Sequence, residues 1–152
     1  MAEQDFIAPL RDLHRRRIEG AFGKPVGATA SEIAALSEAL GESLPQAYVQ
    51  FLLWMGKDYH GIYHGTNIFI TDVLENTAAL PELLAENRLA PLTGKQLCYQ
   101  SHQGYFMAWF RLPAESDDPP VFVFGEGQNL SEPLAVGSFT QYTLRELTDL
   151  AG

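Results

Sequence analysis

The sequence predicts a single α+β domain in which helices pack around a mainly antiparallel central sheet. Three observations predict this fold class. Apolar residues recur at helical spacing in the first third of the chain, the apolar period changes to two near residue 97, and a capping pattern near residue 138 begins a last helix. Helices that precede a run of strands are typical of α+β domains. Because 152 residues suit one domain and no linker or repeat is visible, we expect one domain over residues 1–152.

The N-terminal part, residues 1–28, is predicted to be a helix followed by a linker. Apolar side chains recur at helical spacing from position 6 to position 19, and Asp5 precedes them as a candidate cap. Gly20 and the sequence Gly23-Lys24-Pro25 are expected to end this helix.

Two short amphipathic helices are predicted next. Thr29 and Glu32 form a capping-box pattern in which each side chain can satisfy the other's backbone N–H, and Gly41 supplies the C-terminal stop. Leu44-Pro45 opens the second helix, because a proline in the first turn loses no hydrogen bond, and Gly56 closes it.

The middle of the chain is predicted to contain a strand and then a helical region. Residues 67–71 (Asn67–Thr71) have the apolar character of a strand. The region Asp72–Asn87 has helical spacing, and we expect Pro81 to break it, because proline has no N–H to donate within a helix.

The second half is predicted to form a hairpin, further strands and a terminal helix. Leu97–His102 and Tyr105–Leu112 flank Gln103-Gly104, a plausible turn, and apolar residues on both faces of the second strand indicate a central strand covered on two sides. Val121–Phe124 and Leu134–Val136 are the remaining strands. Ser138 and Gln141 form a second capping box, which opens a helix expected to bury Phe139, Leu144, Leu147 and Leu150.

The charge is strongly acidic. The chain carries −9 at pH 7, and from residue 25 onward it has five basic and fifteen acidic residues, a net −10. Such a surface repels nucleic acid and anionic lipid and attracts basic partners. The run Arg15-Arg16-Arg17 is short and lies in a helical pattern, so we interpret it as a solvated helix face.

The sequence favours a cytoplasmic protein. Its start has neither the basic segment nor the apolar stretch of a signal peptide, and no apolar run approaches the ~18 residues of a membrane span. The single cysteine, Cys98, lies within a strand pattern and is interpreted as a small buried apolar residue.

No motif predicts catalysis, a metal or a cofactor. His60 and His64 are four residues apart, but Gly61 and Gly65 argue against the helix that a shared zinc ion would need. There is no Gly-x-Ser-x-Gly elbow and no phosphate-binding glycine loop. The pair Asp117-Asp118 lies in a proline-rich loop without EF-hand spacing.

A spaced pattern runs through the two short helices. Its positions are Ser31-Glu32-Ile33, Leu36, Leu40-Gly41, Leu44-Pro45, Tyr48 and Phe51-Leu52. Further along come Gly104 before an aromatic strand, then Asp117-Asp118-Pro119-Pro120 before the strand Val121–Phe124, then Ser138-Phe139. Together they resemble the SUKH superfamily, which includes a yeast cell-wall-synthesis regulator and many bacterial immunity proteins. The resemblance covers about residues 29–150, and the chain departs from the family pattern at Ser37 and Met55-Gly56.

The resemblance implies a SUKH-like, non-enzymatic binding domain with no catalytic residues to carry over. Many bacterial members look like antidotes that block a polymorphic toxin, often a nuclease, by direct contact. Our leading hypothesis is therefore an immunity protein that masks a basic toxin domain. Two alternatives stay open: a regulatory or scaffold module that binds a cellular protein, and a small metal-dependent enzyme built on His60 and His64.

The contact surface is expected in exposed loop acids and aromatics, with a solvated surface role as the alternative for each acid. The candidate partner-binding residues are Glu115, Asp117, Asp118, Glu126, Glu132, Tyr63 and His64.

Overall fold

The computed structural model describes residues 4–152. Within them the chain forms six α-helices and a four-stranded antiparallel sheet. The predicted domain includes residues 1–3, which lie outside the described residues. The helices are α1 Ala8–Arg17, α2 Glu19–Phe22, α3 Ala30–Leu40, α4 Gln46–Met55, α5 Val73–Glu86 and α6 Phe139–Ala151. The strands are β1 Lys95–His102, β2 Phe106–Leu112, β3 Pro120–Gly125 and β4 Leu134–Ser138. The predicted fold class is confirmed.

The sheet has the strand order β1-β2-β3-β4, and each strand is antiparallel to the next. Its β1–β2 turn is the predicted one: Gln103 and Gly104 both have positive φ, and the Tyr105 N–H donates to the His102 carbonyl at 3.2 Å. Positive φ at both central residues gives the turn a twist that matches that of the flanking strands.

Both faces of the sheet are covered, as the apolar pattern of β2 predicts. On the first face, Ala108 and Phe110 join a core supplied by α1, α3, α4 and α6. On the second face, Met107 and Trp109 pack with leucines of α5. We call these the α6 face and the α5 face.

Aromatic rings form the centre of the core on the α6 face. Tyr48 of α4 lies edge-on to Phe110 of β2 and to Phe139 of α6, with ring centroids 5.4 and 5.5 Å apart. Tyr99 of β1 meets Phe139 at 5.0 Å. All four rings are at most 1% exposed, so the first residue of α6 is held against α4 and two strands at once.

The local signals at the helix ends are confirmed. Thr29 and Glu32 form the predicted capping box of α3, and Ser138 and Gln141 form that of α6. Gly41 ends α3 with the left-handed conformation that glycine adopts without steric cost.

Two expectations about the N-terminal helix are wrong. Asp5 does not cap α1. The N-cap residue is Ile7, and the Asp5 carboxylate forms an ion pair with Arg11. Gly20 does not end the helical segment, because it lies inside α2, which stops at Gly23.

The predicted strand over residues 67–71 is also wrong. Asn67 makes only an isolated bridge with Ser101 of β1. The Asp72 carboxylate then accepts a hydrogen bond from the Phe69 N–H at 3.1 Å, and this starts a 3-10 turn over Ile70–Asp72. The apolar run is buried by the core without forming a ladder.

The expected break at Pro81 is absent, because α5 continues through it. Leu80, Leu83 and Leu84 pack against the sheet on either side of the proline, and this packing outweighs the one hydrogen bond that proline cannot make. Leu150 is a further correction: it is 47% exposed rather than buried, and Leu144 is only partly buried.

None of the helices in the described part of the chain combines the length and the apolar character needed to cross a bilayer.

Candidate functional site

A groove of about 480 Å³ lies between α5 and the segment that leads into β1. We call it the α5 groove; its lining is mostly apolar and consists of Thr77, Leu80, Pro81, Leu84, Ala85, Leu89, Pro91, Leu92, Gly94, Lys95 and Gln96. Pro81 and Ala85 are a turn apart on α5 and are exposed, so they form one wall. The other wall is the segment 89–96.

The outer face of α5 carries a stripe of carboxylates beside this groove. Glu75, Glu82 and Glu86 are exposed and follow each other at i, i+7 and i+11, a spacing that puts them on one face of a helix. Helix α5 contains no lysine or arginine, so the charge of this stripe is not neutralised from within the helix. We call these three residues the α5 stripe.

The groove continues toward the strand β2. A second depression of about 350 Å³ shares Leu89, Pro91 and Leu92 with it and is also lined by Arg111 and Glu132. The Arg111 guanidinium lies 4.9 Å from the centre of the Phe122 ring, a cation–π arrangement, and 3.8 Å from a carboxylate oxygen of Glu115. Two of the predicted residues, Glu115 and Glu132, therefore lie at this end of the groove.

The predicted acids Asp117 and Asp118 have different surroundings. The Asp118 carboxylate accepts a hydrogen bond from the Thr140 N–H at 2.9 Å and another from the Thr140 hydroxyl. Asp117 offers its backbone carbonyl to the Ala47 N–H at 2.9 Å, and its side chain is exposed. The loop is thus tied to the first turns of α4 and α6, and Asp118 serves to hold it there.

Of the remaining predicted residues, Tyr63 and Glu126 lie near the β1–β2 turn, whereas the ring of His64 lies 6.1 Å from that of Phe22. Tyr63 is only 2% exposed, so the expectation of an exposed aromatic there is wrong; its hydroxyl donates to Glu146 at 2.7 Å. His64 is exposed and its Nδ1 donates to the Gly61 carbonyl at 2.9 Å. Glu126 is exposed, and its N–H donates to the Tyr105 carbonyl at 2.8 Å.

The structure therefore divides the predicted residues between separate surfaces. Glu132 lines the end of the α5 groove and Glu115 pairs with Arg111 there, whereas Tyr63 and Glu126 lie by the β1–β2 turn. The α5 stripe was not predicted, although the spacing of its carboxylates and the absence of lysine and arginine from Val73–Glu86 are both visible in the sequence.

The candidate catalytic and metal-binding side chains lie in different parts of the described structure. Within residues 4–152, no set of three or more His, Cys, Asp and Glu side chains is placed to hold a metal ion. His60 is exposed and lies in a turn. Cys98 is fully buried, as predicted, and burial raises the pKa of its thiol to about 12, so that the thiolate needed for a nucleophile does not form near neutral pH.

The chain has a match among known protein families. The model of the SMI1 / KNR4 family (SUKH-1) matches residues 27–143, which is most of the chain. A comparison with curated proteins finds no match.

Proposed function

Since this chain belongs to the SMI1 / KNR4 family (SUKH-1), we propose that it is an immunity protein that neutralises a cognate toxin by binding it directly. Membership of this family is consistent with an immunity-type or a regulatory protein-binding domain. The finer proposal, a toxin with a basic surface such as a nuclease, is supported by the charge of the chain. The observation that carries it is the α5 stripe beside an apolar groove.

A nuclease needs basic residues around the cleft that binds phosphates. An acidic protein is attracted to that cleft in the same way as the nucleic acid. The α5 stripe offers three carboxylates on one helix face, and Glu132 adds another further along the groove. Such charges speed the encounter with a basic partner.

The α5 groove can supply the apolar contact, and with it the affinity, that charge alone does not provide. Charged pairs at the rim of an interface contribute little affinity, whereas apolar side chains buried in pockets contribute much of it. The α5 groove offers such a pocket, and Glu82 and Glu86 directly follow its lining residues Pro81 and Ala85 along α5. We propose that an apolar side chain of the toxin fills this groove while its neighbouring basic residues meet the α5 stripe.

The test is protection of cells from the toxin. The gene immediately upstream is expected to encode a large secreted protein, whose C-terminal toxin domain would be expressed with and without this chain. Protection is expected with the unaltered chain and with Glu38→Lys, which makes the same charge change on an exposed position of α3. Protection is expected to be lost with Glu82→Lys, because a lysine in the α5 stripe repels a basic partner.

Either of two results would contradict the proposal. One is a chain that fails to protect and does not bind the purified toxin domain, which would favour the regulatory alternative and a cellular partner. The other is equal protection by the Glu82→Lys and Glu38→Lys variants, which would remove the α5 stripe from the interface.

A further inference from the structure

A bulge in β1 turns a buried polar side chain toward the α6 face of the sheet. The register of β1 against β2 shifts between Cys98 and Gln100, so that two successive residues, Tyr99 and Gln100, oppose one position of the partner strand. Cys98 packs on the α5 face, whereas Tyr99 packs in the core of the α6 face. Regular alternation would return Gln100 to the α5 face. The bulge instead places it, only 4% exposed, in the wall of a pocket on the α6 face.

This pocket has a volume of about 280 Å³ and lies beside the β1–β2 turn. We call it the hairpin pocket; it is lined by Tyr63, Thr66, Gln100, His102, Tyr105, Phe106, Glu146 and Leu150. The volume is just below that of typical drug-sized ligand sites, and it suits a single long side chain.

A carboxylate held by neutral donors forms the polar part of the hairpin pocket. Glu146 of α6 accepts hydrogen bonds from the Tyr63 hydroxyl at 2.7 Å and from the Gln100 amide at 2.9 Å. Burial raises the pKa of Glu146, while the hydrogen bonds from Tyr63, Gln100 and Tyr142 act in the opposite direction. These donors orient the carboxylate but bring no positive charge to it.

The pocket has more acceptors than donors. A carboxylate has about four acceptor positions, and Tyr63, Gln100 and Tyr142 each occupy one. Because a carboxylate only accepts, Gln100 directs its NH₂ toward Glu146, which leaves the Gln100 carbonyl oxygen buried without a partner among residues 4–152. A buried acceptor that has no partner carries a free-energy cost, so this arrangement is suited to an incoming donor.

The surroundings favour a donor with a positive charge. None of the residues that line the pocket is a lysine or an arginine. The acids Asp149 and Glu126 lie close by: Asp149 raises the pKa of Glu146, and the Glu126 backbone bonds to that of Tyr105. The His102 Nδ1 is engaged with the Thr66 hydroxyl at 3.1 Å. Tyr105 and Leu150 are 45% and 47% exposed at the rim, where they can pack against an alkyl stem.

We propose that the hairpin pocket receives a lysine or arginine side chain of the partner protein, with the cationic group paired to Glu146 and its alkyl stem between Tyr105 and Leu150. This proposal rests on the proposed function for the partner's basic character. It adds a second contact on the face of the sheet opposite to the α5 groove.

The experiment uses small probes, so that it does not depend on knowing the toxin. N-acetyl-arginine methylamide and its uncharged isostere N-acetyl-citrulline methylamide would be titrated into the ¹⁵N-labelled protein. Changes in the amide chemical shifts of Gln100, Tyr105 and Leu150 are expected with the arginine probe. The citrulline probe is expected to bind about tenfold more weakly or not at all, since a hydrogen bond to a charged group changes the dissociation constant by a factor of this order.

Two variants and a control decide the outcome. Glu146→Gln keeps an acceptor for Tyr63 but removes the charge, and Leu150→Lys places a cation at an exposed rim position where folding is not at risk. Both substitutions are expected to weaken binding of the arginine probe about tenfold or more, whereas Glu38→Gln, at an exposed position of α3, is expected to leave that binding unchanged. Equal shifts with both probes, or binding unaffected by Glu146→Gln and Leu150→Lys, would overturn the proposal. Arginine binding at this pocket in a chain that gives no protection against the toxin would refute the proposed function alone.

Discussion

At the scale of single residues, Asp117 and Asp118 are neighbours with different tasks. The Asp118 carboxylate holds the first turn of α6 through Thr140, whereas the Asp117 side chain is exposed. Asp118→Ala should lower the free energy of unfolding by about 1–2 kcal/mol, as the loss of a helix-capping side chain does. Asp117→Ala should change it by less than about 0.5 kcal/mol. Urea unfolding of both variants checks this, and equal values would show that Asp118 does not hold α6.

A second residue, His14, makes stability depend on pH. It is 1% exposed, its ring lies 5.5 Å from that of Trp54, and its Nε2 has no hydrogen-bond partner in the described part of the chain. Burial lowers the pKa of His14, and Asp58 and Glu19 partly oppose this. The unfolded chain therefore takes up a proton near pH 6.5, and folded His14 takes up its proton only at a lower pH.

The sign of the effect follows from this difference in proton uptake. The contribution of His14 to stability is fully present above about pH 6.5 and is lost as the pH falls toward its lower folded pKa. The slope is at most about 1.4 kcal/mol per pH unit. Between pH 7.5 and pH 5.5, urea unfolding should show a larger loss of stability for the unaltered chain than for His14→Gln. Comparing the two proteins cancels the contributions of all other titrating groups. The same loss in both proteins would contradict the role of His14.

At the scale of elements, the segment before α3 lies directly on the backbone of α4. The Ala28 N–H donates to the Leu52 carbonyl at 2.8 Å, and the Lys57 N–H donates to the Val26 carbonyl at 3.0 Å. Gly27 lies between these two bonds, and a Cβ there would overlap the backbone carbonyl of Leu53. The segment therefore tolerates only glycine at this position.

Two alanine substitutions test this approach of backbone to backbone. Gly27→Ala should lower the free energy of unfolding by about 3 kcal/mol, because backbone cannot move aside as a side chain can. Gly20→Ala is the matched control: it lies in α2 with nothing within 4 Å of the new Cβ, and alanine should stabilise the helix by about 0.5 kcal/mol. Thermal or urea unfolding that finds Gly27→Ala as stable as the unaltered chain would show that α4 does not meet this segment.

Elements defined by local signals were predictable from the sequence. Both capping boxes, the stop at Gly41 and the turn at Gln103-Gly104 depend on residues a few positions apart. The wrong predictions concern segments whose structure is determined by packing against residues that are distant in the sequence. Pro81 stays inside α5 because the sheet holds its neighbouring leucines, and Asn67 reaches the sheet only at Ser101.

The candidate surfaces were predictable only in part, for the same reason. The sequence located acids in loops, among them Glu132, but the side-chain partners of Tyr63 and Asp118 are 83 and 22 residues away. No local pattern indicates which of these groups is already bonded within the fold.

At the scale of the whole molecule, the charge and the fold act together. The sheet is covered by a thick layer of helices on one side and mainly by α5 on the other, so α5 presents its carboxylates to solvent. Within the described chain three ion pairs join residues near the N-terminus, among them Asp12 with Arg15 and Arg16, and three lie elsewhere, but half of the ten basic residues of the chain lie within positions 11–24. The acidic field is therefore strongest away from α1.

Recognition through the acidic surface is tested most directly by measuring the rate at which the chain associates with the purified toxin domain as the salt concentration is raised. Between about 0.01 M and 0.15 M ionic strength the screening length falls from about 30 Å to about 8 Å. The account predicts that the association rate constant falls about tenfold or more over this range, and less steeply for Glu82→Lys than for Glu38→Lys. A rate constant that stays flat across the range, with tight binding retained, would contradict recognition through the acidic surface.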